Sequence, residues 1–401
     1  MEETRNMEEP EEQPQNPADK KVPLPLKVFA GLNLVSAAVT FLAFALILFG
    51  LATMLVTEGD LAHVLDVSGQ AVVLVVCYAV VQLLLSAQFL VLSIRILRNK
   101  RRGAARQANV MVGFSVLSAV LDLMVNGMGI PFGICLAVTI YLLVMASYMD
   151  PNLTEERRLQ RKLAAMEDRD DAEDGTLGRD KTGKGYIQLN FFNIFWIFVV
   201  ACVLGLLFET AVCPFLNGRI ENRTGMLWGP FSPIYGVGAT LMTMALNRFY
   251  NKNPLIVFGV SAVIGAAFEY LVSWFFQFAF GILAWDYSSS PFNIDGRTDL
   301  LHAVCWGLLG LVFIRFILPQ LLKLINRIPW NWRYGVTVVF ATFMLVNASM
   351  TMLAFDCWFQ RESGQNTDTP VAQFFAEHYG NDYMKSHFQT MSIHPDLATR
   401  Q

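Results

Sequence analysis

Glu269 lies about 14 residues inside an unbroken apolar run, roughly 21 Å along a helix at 1.5 Å per residue. A carboxylate at such depth in a bilayer costs on the order of 3 kcal/mol on insertion scales, so it should face protein or water and have a partner. A structural ion pair, a protonated hydrogen-bonded acid and a working group all meet that condition, and the residue alone leaves the choice open. Arg297 is the best candidate partner by sign and expected side. Glu209 lies near the end of another apolar run, where interface exposure would make it ordinary. Arg223, Asp286, Asn293, Arg297, Asp299 and His302 fall in segments expected on that same side of the membrane. Singly, each reads as a solvated loop residue. Beside two carboxylates carried on spans, they suggest a polar outer vestibule. Trp285-Asp286-Tyr287-Ser288 joins interface-seeking aromatics to a turn-forming acid, and its plainest reading is a membrane-surface anchor.

Other chemistry is weaker. Gly178-Arg179-Asp180-Lys181-Thr182-Gly183-Lys184-Gly185 nearly spells the phosphate-binding loop G-x4-G-K-[ST]. Gly185 replaces the hydroxyl that would meet magnesium, no strand precedes the run and a span follows it, so nucleotide binding is not expected. The six cysteines fall singly in or beside apolar segments and read as small hydrophobes. His378, His387 and His394 are too widely spaced, with no acids in register, to read as a metal set. No cofactor, metal or catalytic residue set is expected.

These residues are carried by an apolar chain. Of 401 residues 54% are hydrophobic and 16% charged, and the mean hydropathy of +0.42 excludes ordinary soluble domains. Blocks long enough to cross a bilayer fall at about 26–56, 70–94, 108–126, 129–149, 190–213, 232–247, 254–280, 299–322 and 334–358. The fold class expected is therefore an all-α integral membrane protein of about nine transmembrane helices, four and five, divided by a charged cytoplasmic linker. The sixth block is short and follows Trp228-Gly229-Pro230-Phe231-Ser232-Pro233, so a broken or re-entrant start is expected, sheltered by protein or water. Basic residues divide 24 to 6 between alternate connections, which places the N-terminus in the cytoplasm and the C-terminus outside. The regions expected are a disordered acidic tail (1–25), a four-helix membrane region (26–149), the linker (150–188), a five-helix membrane domain (189–358) and an extracytoplasmic tail (359–401). In that tail Val371, Phe374, Phe375, His378 and Tyr379 recur at helical spacing and predict a short amphipathic helix on the outer membrane surface. Gly259, Ser261, Ala262, Gly265, Ala266 and Ala267 form a small-residue face for close helix contact just before Glu269.

One further pattern is specific. Glu209 ends a span; Gly229-Pro230 precedes Pro233-Ile234-Tyr235-Gly236-Val237-Gly238; Glu269-Tyr270, Trp285-Asp286-Tyr287-Ser288, Phe292-Asn293-Ile294, Gly296-Arg297 and Trp306-Gly307 follow in order. In that order and spacing, residues from about 190 to 320 resemble the type IV ABC-transporter family, the CmpB type. The chain departs from the family at Gln277, where a second glutamate is usual, and at Asn222-Arg223-Thr224-Gly225, which is one residue longer than the family's run. The resemblance implies a permease-like membrane component of a transporter, its substrate unspecified. Glu209, Arg223, Tyr235, Glu269, Tyr270, Trp285, Asp286, Tyr287, Asn293 and Arg297 would then line a substrate or ion path. The partners implied are the lipid bilayer, a separate ATPase subunit at the cytoplasmic face, where the linker is the largest surface, and a second copy of the chain; nucleic acid is not among them. Two other readings stay open: a membrane-embedded enzyme using Glu209, Glu269 or Asp286 as acid or base, and a non-transporting scaffold or sensor.

Overall fold

The computed structural model describes residues 22–65, 69–149, 178–180, 185–218, 221–365 and 369–398. The acidic tail and most of the linker lie outside the described residues, as does the centre of the phosphate-loop look-alike. The described start of that look-alike pairs antiparallel with the chain just beyond it: Arg179 bridges Ile187, and Gln188 donates its N–H to Gly178 O at 2.9 Å.

The chain divides into two compact units, Met1–Leu163 and Ala164–Gln401. In the first, α1 (Leu24–Glu58) is followed by the short α2 (Leu61–Leu65), α3 (Gly69–Leu97), α4 (Arg101–Asn126) and α5 (Ile130–Met149). Pro25 in its first turn suits the start of α1, and left-handed Gly59 closes it with a bond to Leu55 O at 3.1 Å. Small residues on α4 (Ala104, Ala105, Ala108) let it pack closely against Leu92 and Ile96 of α3 and Leu142 and Met145 of α5. The remaining surface is apolar: α1 exposes Leu32, Val35, Val39, Leu42 and Leu46. Such a face is at home in lipid and would be a liability in water.

The second unit holds α6 (Phe191–Asn217), α7 (Pro233–Leu246), α8 (Pro254–Phe280), α9 (Leu300–Ile325, with a π-turn at Phe313–Ile317), α10 (Trp330–Glu362), α11 (Pro370–His378) and α12 (Asn381–His387). The small-residue face of α8 does bring α9 close. Trp306 of α9 occupies the space a side chain at Gly265 would need, and Ser261 fills the corresponding space at Gly310. Gly259 takes no part, for nothing lies near it.

Among the described residues, seven helices are long and apolar enough to cross a membrane: Leu24–Glu58, Ala71–Leu97, Gly103–Asn126, Phe191–Val212, Pro254–Phe280, Leu300–Ile325 and Gly335–Glu362. Helices also stand at the other two expected positions, but there the apolar stretch of α5 ends at Ala146 and α7 has only 14 residues. At 1.5 Å per residue α7 reaches about 21 Å, short of a hydrocarbon core of ~30 Å.

The amphipathic segment of the tail is helical as α11, but it leans on protein as well as exposing Val371 and Phe374, since Phe375 is buried. The tail folds back over the loops. Strand β2 (Ser392–Ile393) pairs antiparallel with β1 (Ile282–Leu283), Trp228 Nε1 donates to Tyr379 Oη at 3.1 Å, and His387 Nε2 meets Met226 O at 2.9 Å.

Candidate functional site

The site begins where α7 begins. Residues 226–232 are irregular, yet Met226, Leu227, Phe231 and Ser232 are buried. Their backbone groups are met by side chains and carbonyls of neighbouring helices. Asn347 clamps Trp228 from both sides: its Oδ1 accepts the Trp228 N–H at 3.1 Å, and its Nδ2 donates to Trp228 O at 2.7 Å. Thr351 Oγ1 accepts the Leu227 N–H at 3.0 Å, and Cys202 O accepts the Ser232 N–H at 3.1 Å. Asn347 lies twelve residues, about 18 Å, into the span Gly335–Glu362, so the clamp acts near mid-depth. Irregular backbone is tolerable there only because protein satisfies it. The start expected from Trp228–Pro233 is thus an irregular, protein-sheltered segment leading into a helix of only 14 residues.

Beside this start lies a charged group. Arg223 pairs with Glu209 at 3.2 Å and with Glu221 at 2.7 Å. Tyr235, in the first turn of α7, hydrogen bonds to Glu209. Tyr235 also lies near enough to Tyr287 to act on it electrostatically, which joins this group to the surroundings of Glu269.

Glu269 is 6% exposed. Its Oε1 accepts the Tyr287 hydroxyl at 3.1 Å and its Oε2 the Thr298 hydroxyl at 3.0 Å. The Trp306 indole donates to it as well, and the His302 ring lies close by. Asp299 holds His302, accepting its backbone N–H at 2.7 Å as the cap of α9 and meeting its ring Nδ1 at 2.8 Å. Tyr287 stacks on that ring with centroids 4.0 Å apart. A hydrogen-bonded chain therefore runs from Asp299 to His302, whose ring is stacked on the tyrosine that bonds Glu269.

The expected pairing of Glu269 with Arg297 is not made. Arg297, 5% exposed, donates instead to Ser273 Oγ at 3.4 Å and lies over the rings of Tyr270 and Phe278, each centroid 5.7 Å away, while its Nε has no partner. The reason is chemical: uncharged donors can satisfy a buried carboxylate, and aromatic faces can meet a buried guanidinium. Tyr270 links onward to Asp295 Oδ2 at 2.8 Å, and Trp285 Nε1 fixes the Arg297 carbonyl at 2.8 Å.

Two of the sequence-identified residues serve the loop alone. Asn293 ties Ser290 O at 2.7 Å to the Gly296 N–H at 3.0 Å. Asp286 accepts the Ser288 N–H at 2.9 Å as well as its hydroxyl, and these bonds hold its carboxyl below the usual range. Burial and then the Glu269 carboxylate push the Tyr287 phenol above its ordinary value, which keeps it a donor. Burial works against the Asp299 carboxylate, but the amide and ring of His302 outweigh it and hold the pKa low. Thr298, Trp306 and Ser273 are neutral donors and leave no charge pattern by which the sequence could mark them as site residues; Glu221 is charged, but two residues from Arg223 it reads as an ordinary loop acid.

No curated protein and no solved structure matches the chain. A family does: residues 196–352, which carry the irregular segment before α7, the Arg223 group and every partner of Glu269, match the model of the family described as Putative ABC-transporter type IV.

Proposed function

We propose that this multi-pass membrane protein is the permease-like component of a transporter, and that Glu209, Arg223, Tyr235, Tyr287 and Glu269 line the path of its substrate or ion. One observation carries the reading: a nearly buried carboxylate held only by neutral donors and a histidine stands beside a helix that starts inside the membrane. Discontinuous helices frame substrate and ion sites in transporters, because the positive end of the half-helix dipole lies at depth. An acid held without a fixed cation can also change partner or protonation state at lower cost than one locked in an ion pair. The family match supports a transporter role for the same residues. On this reading the N-terminus is cytoplasmic, the C-terminus lies outside and the Arg223 group opens to an outer vestibule, in keeping with the distribution of basic residues. Energy comes from a separate ATPase subunit docked on the cytoplasmic face.

Purification from native membranes in mild detergent tests this. The expected result is a retained ATPase subunit whose hydrolysis depends on the chain, with Glu269→Gln assembling normally but no longer coupling hydrolysis to transport. A chain that purifies without such a subunit and turns over a substrate itself would replace this reading with the enzyme. A retained cytoplasmic regulator would replace it with the scaffold.

A further inference from the structure

The first unit lies outside the family match, yet it contains a carboxylate more enclosed than Glu269. Asp122 of α4 is 0% exposed. It lies within the span Gly103–Asn126 and is hydrogen bonded to Tyr78, which is itself seven residues, about 10 Å, inside the span Ala71–Leu97. Asn126 Nδ2 donates to Asp122 Oδ1 at 2.7 Å. The other oxygen, Oδ2, is buried without a partner. Among the described residues no Lys, Arg or His pairs with it. The titratable groups facing it from the helices packed on α4 are Tyr78 of α3 and Cys135 of α5, both acids that supply no positive charge. Polar contacts extend around it: Gln82 Nε2 donates to Tyr78 Oη and to Ser118 Oγ, each at 3.0 Å, and Ser118 Oγ lies 3.6 Å from Cys135 Sγ. These are the parts of a built polar site, with one acceptor left open.

A bare carboxylate wholly enclosed by protein is unfavourable even about 6 Å from the end of its span, so its balancing positive charge must come from solution. A divalent ion would ask for more carboxylates than one. We infer that Asp122 Oδ2 is the seat of a single small cation, a proton or an alkali-metal ion, bound within the first unit. The two occupants share one chemistry, neutralisation of a buried carboxylate, and they can be told apart.

The purified full chain is treated with dicyclohexylcarbodiimide, which modifies a protonated carboxyl in apolar surroundings, and the modified residue is located by peptide mass spectrometry. The series covers a range of pH with sodium, lithium, potassium or choline as the cation. Modification of Asp122 that is indifferent to the salt identifies a proton. Modification slowed several-fold by sodium or lithium, but not by choline, identifies an alkali-metal ion. Asp122 unmodified at every pH in choline, in protein that remains folded, would overturn the inference, because it would show a permanently charged, hydrated group. Asp122→Asn gives a second measurement: its pH and cation dependence of melting temperature should differ from that of the wild type, and profiles superimposable on those of the wild type in both series would also overturn the inference.

Discussion

Replacing Asn347 by leucine tests the irregular segment before α7 through its anchor. Asn347 is 0% exposed and satisfies both backbone groups of Trp228, at 3.1 and 2.7 Å. Leucine has a similar volume but no polar atom, so the Trp228 N–H and C=O would both be stranded in the interior. Each stranded group costs about 1–3 kcal/mol, so the pair should cost about 2–6 kcal/mol. In a unit of this size 1 kcal/mol moves the melting temperature by about 2–4 °C, which places the expected fall between roughly 4 and 24 °C. Thr351→Val strands only the Leu227 N–H, bonded at 3.0 Å, and should cost about half as much. Val346→Ala, on the exposed face of the same helix, is the control and should shift little. The assay is thermal unfolding in detergent with the membrane-inserted yield measured in parallel. An Asn347→Leu protein as stable as the Val346→Ala control would show that the loop is not held at that depth.

Three further outcomes follow from the site. A double-mutant cycle of Glu269→Gln with Arg297→Gln should give a coupling below ~1 kcal/mol, whereas a value of several kcal/mol would restore the buried ion pair. Asp299 has a folded pKa below its ordinary 3.8, so its contribution to stability is complete above that value and lost as the pH falls through the folded pKa. Melting curves of wild type should therefore show an acid-side loss that Asp299→Asn diminishes, and identical acid profiles would refute the assignment. In a cysteine-depleted background, a cysteine replacing Gly175 should be labelled only from the cytoplasm and one replacing Gln365 only from outside; the reverse, or one side for both, would refute the proposed topology.

The parts of this architecture visible in sequence were those written in hydropathy and backbone chemistry. Long apolar runs located the helices, Trp228–Pro233 marked the broken start, and the depth of Glu269 marked it as exceptional. The partner of Glu269 was misassigned because a search by opposite charge finds Arg297, while the interior satisfied the acid with Thr298, Tyr287 and Trp306. Which way the Arg297 side chain turns depends on the ring faces of Tyr270 and Phe278, a matter of packing with no local signature. Asp122 has no signature in sequence, because four residues from the end of its helix a carboxylate normally reads as interfacial, and only the packing of α3 and α5 encloses it. The length of α7 was legible as a short apolar block, but the Asn347 clamp that makes a short element workable joins residues 119 apart in sequence.

The claim that the surroundings of Glu269 form part of a path is tested most directly by water. Cysteines are placed singly at Glu269 and at Val263, which is 71% exposed on the apolar outer surface of the same helix. Sealed vesicles of each variant are then treated with a membrane-impermeant thiol reagent. Such reagents attack the thiolate, which forms where water reaches and not in hydrocarbon. The account predicts that Glu269→Cys reacts from the outer side while Val263→Cys does not react from either side. Equal inertness of the two positions in folded, membrane-inserted protein would contradict it.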